Sequence, residues 1–245
     1  MPDVTHRLVA LLPMKANSVR VASKNFREIA GKPLYRWILD TLLSMDAIEK
    51  VVINTDARAL LDETGLVDGD ADGRIMVRDR KPEICGDFVS MNLVLADDIA
   101  AVGSESYFMT HTTNPLLSMG TIARMYDRYQ AGLADGIADS VFSVTRHQTR
   151  FYQPDGSPIN HDPANLIRTQ DLPPYLEENS VGYVFNRESF AATGARIGRK
   201  PVLFETPPLE SVDIDEPEDW FMAESLLMRV ANGDELPGTG GATRP

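Results

Sequence analysis

Short apolar runs alternate with helical patterns from the N-terminus to about residue 145, and this alternation is what most restricts the fold. Residues 8–12 read as a fully buried strand. Residues 33–45 read as a helix: Pro33 suits its first turn, and Leu34, Trp37, Ile38, Thr41 and Leu42 form one face. A second buried strand is expected at 50–54, a helix at 57–63 and a weaker strand at 74–77. A helix at 89–101, a strand at 107–110, a helix at 119–130 and a strand at 140–144 follow. Strands separated by helices predict βαβ crossovers, hence a three-layer α/β fold around a mostly parallel sheet. In such sheets ligands bind beyond the carboxyl ends of the strands.

The rhythm breaks after Thr145. Residues 146–179 are polar, rich in Pro, His, Asp and Arg, and lack a helical period. They read as a protruding arm that packs on something, a second subunit being one candidate. Order is expected to return with a strand at 180–185, a segment at 202–205, a strand at 211–214 and a helix at 217–230. One domain over residues 1–232 is expected, with the Gly/Pro-rich tail at 233–245 disordered.

The net charge of −12 argues against a nucleic-acid partner and against an anionic membrane. No apolar run approaches the ~20 residues of a membrane helix, and no signal peptide is read at the N-terminus. The single cysteine, Cys85, offers neither an intrachain disulfide nor a metal cluster. A cytoplasmic location is expected.

Against that acidic background, the loop after the first strand gathers Lys15, Arg20, Lys24 and Arg27, with Ser18 and Asn25 among them. It is neither a Walker A loop nor Gly-x-Gly-x-x-Gly. Its side chains could hold a nucleoside triphosphate through charge-assisted hydrogen bonds; the alternative is a solvated surface loop. Late in the chain, Val212-Asp213-Ile214-Asp215 would, in a strand, aim both carboxylates the same way. Two such acids either hold Mg²⁺ or cap the following helix. Arg80 offers a planar fork for a base or a phosphate. His111 is either a substrate hydrogen-bonder or an ordinary loop residue.

Together these segments resemble the acylneuraminate cytidylyltransferase family, the CMP-sialic acid synthetases. Leu12-Pro13, Ser18 and Lys24-Asn25 are similar to its signature loop Pro-Ala-Arg-x-Gly-Ser-Lys-Gly-x-x-x-Lys-Asn. Arg80, Glu83-Ile84 and Asp87 resemble Arg-Pro-x-Glu-Leu-x-x-Asp. Gln170-Asp171-Leu172-Pro173 with 179–183 resembles Gln-x-Leu-Pro…Asn-Gly-x-Ile-Tyr. Residues 211–215 with Pro217-Glu218-Asp219 resemble Ser-x-Asp-Ile-Asp-Thr-x-x-Asp. The resemblance spans residues 7 to about 229.

It implies a nucleotide-diphospho-sugar-transferase-like fold, CTP as donor, Mg²⁺ as cofactor, and a homodimer whose arm helps complete the partner's site. Lys15, Ser18, Arg20, Lys24 and Asn25 would hold the nucleotide. Arg80 and the backbone near Val89 would read cytosine, and Asp213 and Asp215 would hold Mg²⁺. Lys15, Arg20, Lys24 and Asp213 would then serve catalysis. Asn17 and Arg20 replace two family glycines, His111 replaces a glutamine, and Thr169 stands where an arginine often precedes Gln170. His111, Arg168, Arg146 and Arg150 are the candidates for the acceptor's acid group. Relatives of this fold also cytidylylate small phosphonates such as phosphonoformate, and a small anionic acceptor suits Arg20 and His111. The expected reaction is CMP transfer from CTP to a nonulosonic or 2-keto sugar acid or to a small phosphonate, with release of pyrophosphate. The rival readings are a non-catalytic nucleotide-binding homologue and the same fold with another nucleotide donor.

Overall fold

A strand covered on both faces must be apolar at every position, and β1 (Leu8–Leu11) is buried throughout. The computed structural model describes residues 7–16, 21, 23–234 and 236–237. After β1 come the two-residue strands β2 (Glu28–Ile29) and β3 (Lys32–Pro33), then α1 (Leu34–Leu43), β4 (Ile48–Thr55), α2 (Arg58–Glu63) and β5 (Ile75–Asp79). The chain continues with α3 (Met91–Ala101), β6 (Ser106–Met109), α4 (Met119–Ala134), β7 (Ser140–His147), β8 (Tyr175–Phe185), α5 (Arg187–Thr193), β9 (Pro201–Glu205) and α6 (Pro217–Ala231).

Seven strands form one sheet in the order β5-β4-β1-β6-β8-β7-β9. The pairs β5/β4, β4/β1, β1/β6 and β7/β9 are parallel, and β8 runs against both β6 and β7. Alternation along β1 builds the two outer layers. Leu8 and Ala10 pack with Ile38, Leu39, Ile122 and Met125 of α1 and α4. Val9 and Leu11 pack with Leu95, Ile99 and Phe190 of α3 and α5. The three-layer, mostly parallel α/β architecture is therefore the one expected. The chain winds outward from β1 to β4 and β5, then returns to place β6 on the other side of β1. The topological switch point lies at the carboxyl end of β1, where a ligand crevice is expected.

Three expectations change. Residues 211–214 form no strand: Ser211 sits in a turn, its N–H donating to the Pro207 and Pro208 carbonyls, and Ile214 N–H donates to the Thr113 carbonyl at 3.0 Å. Alternation survives there without a ladder, because Ile214 alone is buried, against Trp220, Ala223 and Leu227. The polar arm grows from a β ribbon: β7 runs on to His147, and β8 starts at Tyr175, paired with it. Helix α5 was not expected. It is opened by Asn186, whose side chain accepts from Ser189 N–H at 2.7 Å, and closed by Gly194 at φ 68°.

The tail expected from 233 onward falls mostly at 235 and 238–245, outside the described residues; Leu236 is buried against the α6 cluster. Among the described residues, no helix is long and apolar enough to cross a membrane.

Candidate active site

The carboxyl ends of β1, β4 and β6 lie side by side because the strands are parallel. Lys15 follows β1, and its Nζ pairs with Asp87 Oδ1 at 3.1 Å. Ala16 N–H donates to Asp56 Oδ1, just past β4, at 2.7 Å. Ser18 and Arg20 lie outside the described residues. The loop turns through residues 23–26 and returns with Lys24 and Asn25 buried. The Asn25 amide is used at both ends: Nδ2 donates to the Lys15 carbonyl at 2.8 Å, and Oδ1 accepts from Thr112 Oγ1 at 2.6 Å. Asn25 therefore straps the basic loop to the segment after β6.

Lys24 reaches further. Its Nζ donates to the Ile214 carbonyl and pairs with Asp215 Oδ1 at 3.2 Å. The early basic loop and the late aspartates thus meet, 191 residues apart in sequence. Asp213 stands beside them, with Oδ1 buried and without a hydrogen-bond partner. Burial pushes the Asp213 carboxyl up, and so does the Asp215 charge, against the Thr113 hydroxyl and Lys24. These acids do not open α6. That start is served by Asp219, whose Oδ2 accepts from Asp215 N–H at 3.0 Å and Glu216 N–H at 2.7 Å.

The donor set fits a hard divalent cation: two neighbouring carboxylates, one with an orphaned buried oxygen, beside Lys24 of the basic loop. Among the described residues, no group of three potential ligand side chains forms a metal cage.

His111 is half-buried past the end of β6. Burial pushes its imidazole down to about 4; the Arg196 and Lys24 charges act in the same direction and Asp215 opposes them. It is neutral at pH 7, able to donate from one nitrogen and accept at the other.

Arg80 is buried and holds the strand ends. Its Nε donates to Asn54 Oδ1 at 2.9 Å, and its Nη2 to the Asn54 carbonyl at 2.8 Å and the Met14 carbonyl at 3.3 Å. Val89 is half-buried just before Ser90, the residue that caps α3. The three arm arginines hold the arm. Arg146 forks onto Glu205, Arg150 donates to the Ile167 carbonyl at 2.6 Å, and Arg168 pairs with Asp171 at 2.7 Å.

Sequence reasoning missed Glu178 and Arg196, and it assigned Tyr183 no role. Between Phe142/Tyr183 and Val144/Glu178 the β7–β8 register jumps, so β8 carries a bulge over residues 179–182. The bulge is pinned by Thr110 Oγ1 donating to the Val181 carbonyl at 2.7 Å, and by Gly182 N–H donating to Ser143 Oγ at 2.9 Å. It folds Glu178 back so that the Tyr183 hydroxyl donates to it. The Arg196 guanidinium lies 3.8 Å from the centre of the Tyr183 ring. The distance in sequence, and the loop position of Arg196, left no local signal.

Past the carboxyl ends of the central strands of this α/β sheet, Lys24, a neutral imidazole and paired carboxylates come together. The chain belongs to the cytidylyltransferase family, whose model matches residues 9–230, and so to the nucleotidyltransferases. It is 26% identical to a CMP-N,N'-diacetyllegionaminic acid synthase of Legionella pneumophila, over 90% of this chain and 96% of that protein. It is 30% identical to N-acylneuraminate cytidylyltransferase B of Danio rerio, over 93% of this chain and 53% of that protein, so it spans about half the length of the fish relative. The fold is similar to that of a CMP:2-keto-3-deoxy-manno-octonic acid synthetase complexed with CTP, with a TM-score of 0.61 and 13% identity over 91% of this chain and 99% of that one. It is equally similar to a 4-diphosphocytidyl-2C-methyl-D-erythritol synthase, with a TM-score of 0.61 and 12% identity over 91% of this chain and 99% of that one.

Proposed function

We propose that this enzyme transfers CMP from CTP to a small acidic acceptor, with Mg²⁺ as cofactor and pyrophosphate as the second product. One observation carries the reading: Lys24 joins the basic loop to Asp215, beside the orphaned oxygen of Asp213. An acceptor oxygen attacks the α-phosphorus, the bond to the bridging oxygen of the β-phosphate breaks, and pyrophosphate leaves. A hydroxyl acceptor gives up its proton; a phosphonate oxygen is already ionised.

Lys15, Lys24 and, in the loop outside the described residues, Arg20 balance charge on the phosphates. Asp213 and Asp215 hold the cation, which when bound neutralises phosphate charge and polarises the α-phosphate. His111 hydrogen-bonds the acceptor in its neutral form. The relatives, a CMP-N,N'-diacetyllegionaminic acid synthase, an N-acylneuraminate cytidylyltransferase and a CMP:2-keto-3-deoxy-manno-octonic acid synthetase, favour a nonulosonic or 2-keto sugar acid as the acceptor class. A small phosphonate such as phosphonoformate is the second reading, favoured by the cationic wall that Arg196 adds near His111.

The arm presents exposed Leu166, Ile167, Tyr175 and Leu176, a surface suited to a second copy in a homodimer. Pyrophosphate release with CTP and Mg²⁺ across a panel of sugar acids and phosphonates, with mass detection of CMP products, tests the proposal. Release with one acid class and formation of its CMP conjugate is expected. Tight CTP binding without release for any acid would overturn it in favour of a nucleotide-binding module. Activity with UTP, ATP or GTP in place of CTP would overturn the donor.

A further inference from the structure

Arg196 follows α5 and lines a cavity of about 350 Å³ together with Ser90, Met91, Asn92, Glu178 and Ile197. That volume is at the low end for small-molecule sites. The side chain is only 18% exposed, its guanidinium carbon stands 3.8 Å from the centre of the Tyr183 ring, and Nη1 is 3.7 Å from Met109 Sδ at the end of β6. The ring contact and the burial restrain the side chain, and a restrained fork is suited to meet an oxyanion.

Among the described residues its carboxylate partner is Glu178, which meets Nη2 through Oε1 at 3.3 Å. Strong charge-assisted pairs are shorter, about 2.7–2.9 Å, and an arginine fork matches two oxygens in its plane. The same Glu178 oxygen already accepts the Tyr183 hydroxyl. The ion pair inside the protein is therefore loose and shared.

Resting on the function proposed above, we infer that Arg196 is the acceptor-reading residue: its guanidinium binds the oxyanion of a small acid, carboxylate or phosphonate, in exchange for Glu178. The cavity supplies the space and Arg196 the only guanidinium among its lining residues. Glu178 prevents the cation from standing uncompensated when no acceptor is bound, and it sets the threshold that an incoming anion must exceed.

The test is steady-state kinetics of Arg196→Gln, Arg196→Lys and Glu178→Gln, with a sugar acid and phosphonoformate as parallel acceptors. Arg196→Gln is expected to raise the acceptor KM by about 10- to 100-fold, the loss of one charge-assisted pair, while the KM for CTP stays within about twofold. Arg196→Lys, which keeps charge but loses the fork, should fall between. Glu178→Gln should lower the acceptor KM, and it decides the matter if Arg196→Gln does not fold. The acid class whose KM responds identifies the oxyanion. An unchanged acceptor KM in Arg196→Gln, a parallel rise in the KM for CTP, or a raised acceptor KM in Glu178→Gln overturns the assignment and leaves the cytidylyltransferase reading standing. A wild-type enzyme that turns over no acid overturns that reading, and this inference with it.

Discussion

Replacing Lys24 by methionine keeps most of the buried stem and removes the charge, so it isolates what the ammonium does. Two losses can be worked from the structure. The Ile214 carbonyl loses its Lys24 donor in a buried setting, which costs about 1–3 kcal/mol. The pair with Asp215 adds less, because that carboxylate is 41% exposed and screened; at most about 1 kcal/mol is assigned to it. The sum, about 1–4 kcal/mol, corresponds to a fall of roughly 2–16 °C in Tm for a domain of this size.

Activity should fall further than stability explains. At 25 °C, with the variant still folded, kcat/KM for CTP is expected to drop by about 10²–10³-fold, the range for removing one preorganised positive donor from developing charge. Scanning calorimetry and a continuous pyrophosphate assay read the two effects separately. Lys15→Met is the contrast: its pair with Asp87 is exposed, so its Tm should move little. A Lys24→Met enzyme with lowered Tm and unimpaired kcat/KM would show that Lys24 is only a strut for the aspartate loop. An unchanged Tm would refute the geometry itself.

Asp98 is fully buried, takes hydrogen bonds from Asn54 and Arg78, and has its carboxyl pushed up to about 6, by burial first and by Asp97's charge, against those two donors. Its folded value lies above the unfolded one, so its contribution to stability is lost as pH rises from about 4 to 6, by about 2–3 kcal/mol. Asp98→Asn keeps an acceptor oxygen but cannot titrate; urea unfolding from pH 4 to 7 should show the variant gaining on wild type, and a flat difference would refute it. Glu210, fully buried, accepts from Ser118 N–H at 2.9 Å and from the Ser118 hydroxyl at the start of α4. Glu210→Ala should cost about 2–4 kcal/mol, measured as a lower urea midpoint. A methyl group on Gly182 would stand 2.8 Å from Phe108 Cε2, so Gly182→Ala should cost about 1–3 kcal/mol in the same assay.

The parallel core was legible because β1 and β4 are covered on both faces, which demands continuous apolar runs. The ribbon at the base of the arm was not. Tyr175, Leu176, Glu177 and Glu178 are all exposed, so no buried face imposes a period. Val212-Asp213-Ile214-Asp215 carries a strand's alternation, yet one buried residue and one backbone hydrogen bond suffice to produce it. Helix α5 is too short to display a period, although Asn186 and Gly194 marked its ends. Within the site, the clustering of cations near Lys24 and the paired acids were visible locally. The use of Asn25 and Arg80 to strap strand ends, and the meeting of Glu178, Tyr183 and Arg196, depend on the bulge in β8 and on pairings that no local spacing encodes.

The charges gathered here explain how an acidic protein can hold a polyanion only under one condition. Immediately around the aspartates, Lys24 stands against Asp213 and Asp215, and these three groups carry an excess of one negative charge when all are ionised. Metal-free CTP entering that field meets repulsion at close range, where burial weakens screening. A divalent cation held by the aspartates, as proposed above, would reverse the sign. Asp213→Asn should therefore act in opposite directions on the two forms of the nucleotide. Titration calorimetry in EDTA is expected to show the variant binding CTP several-fold more tightly than wild type, because one repelling charge is gone. In Mg²⁺ the order should invert, because one of the two proposed ligands is gone. A variant that weakens both forms equally would mean that Asp213 shapes the loop rather than setting its charge, and the electrostatic account of this crevice would fail with it.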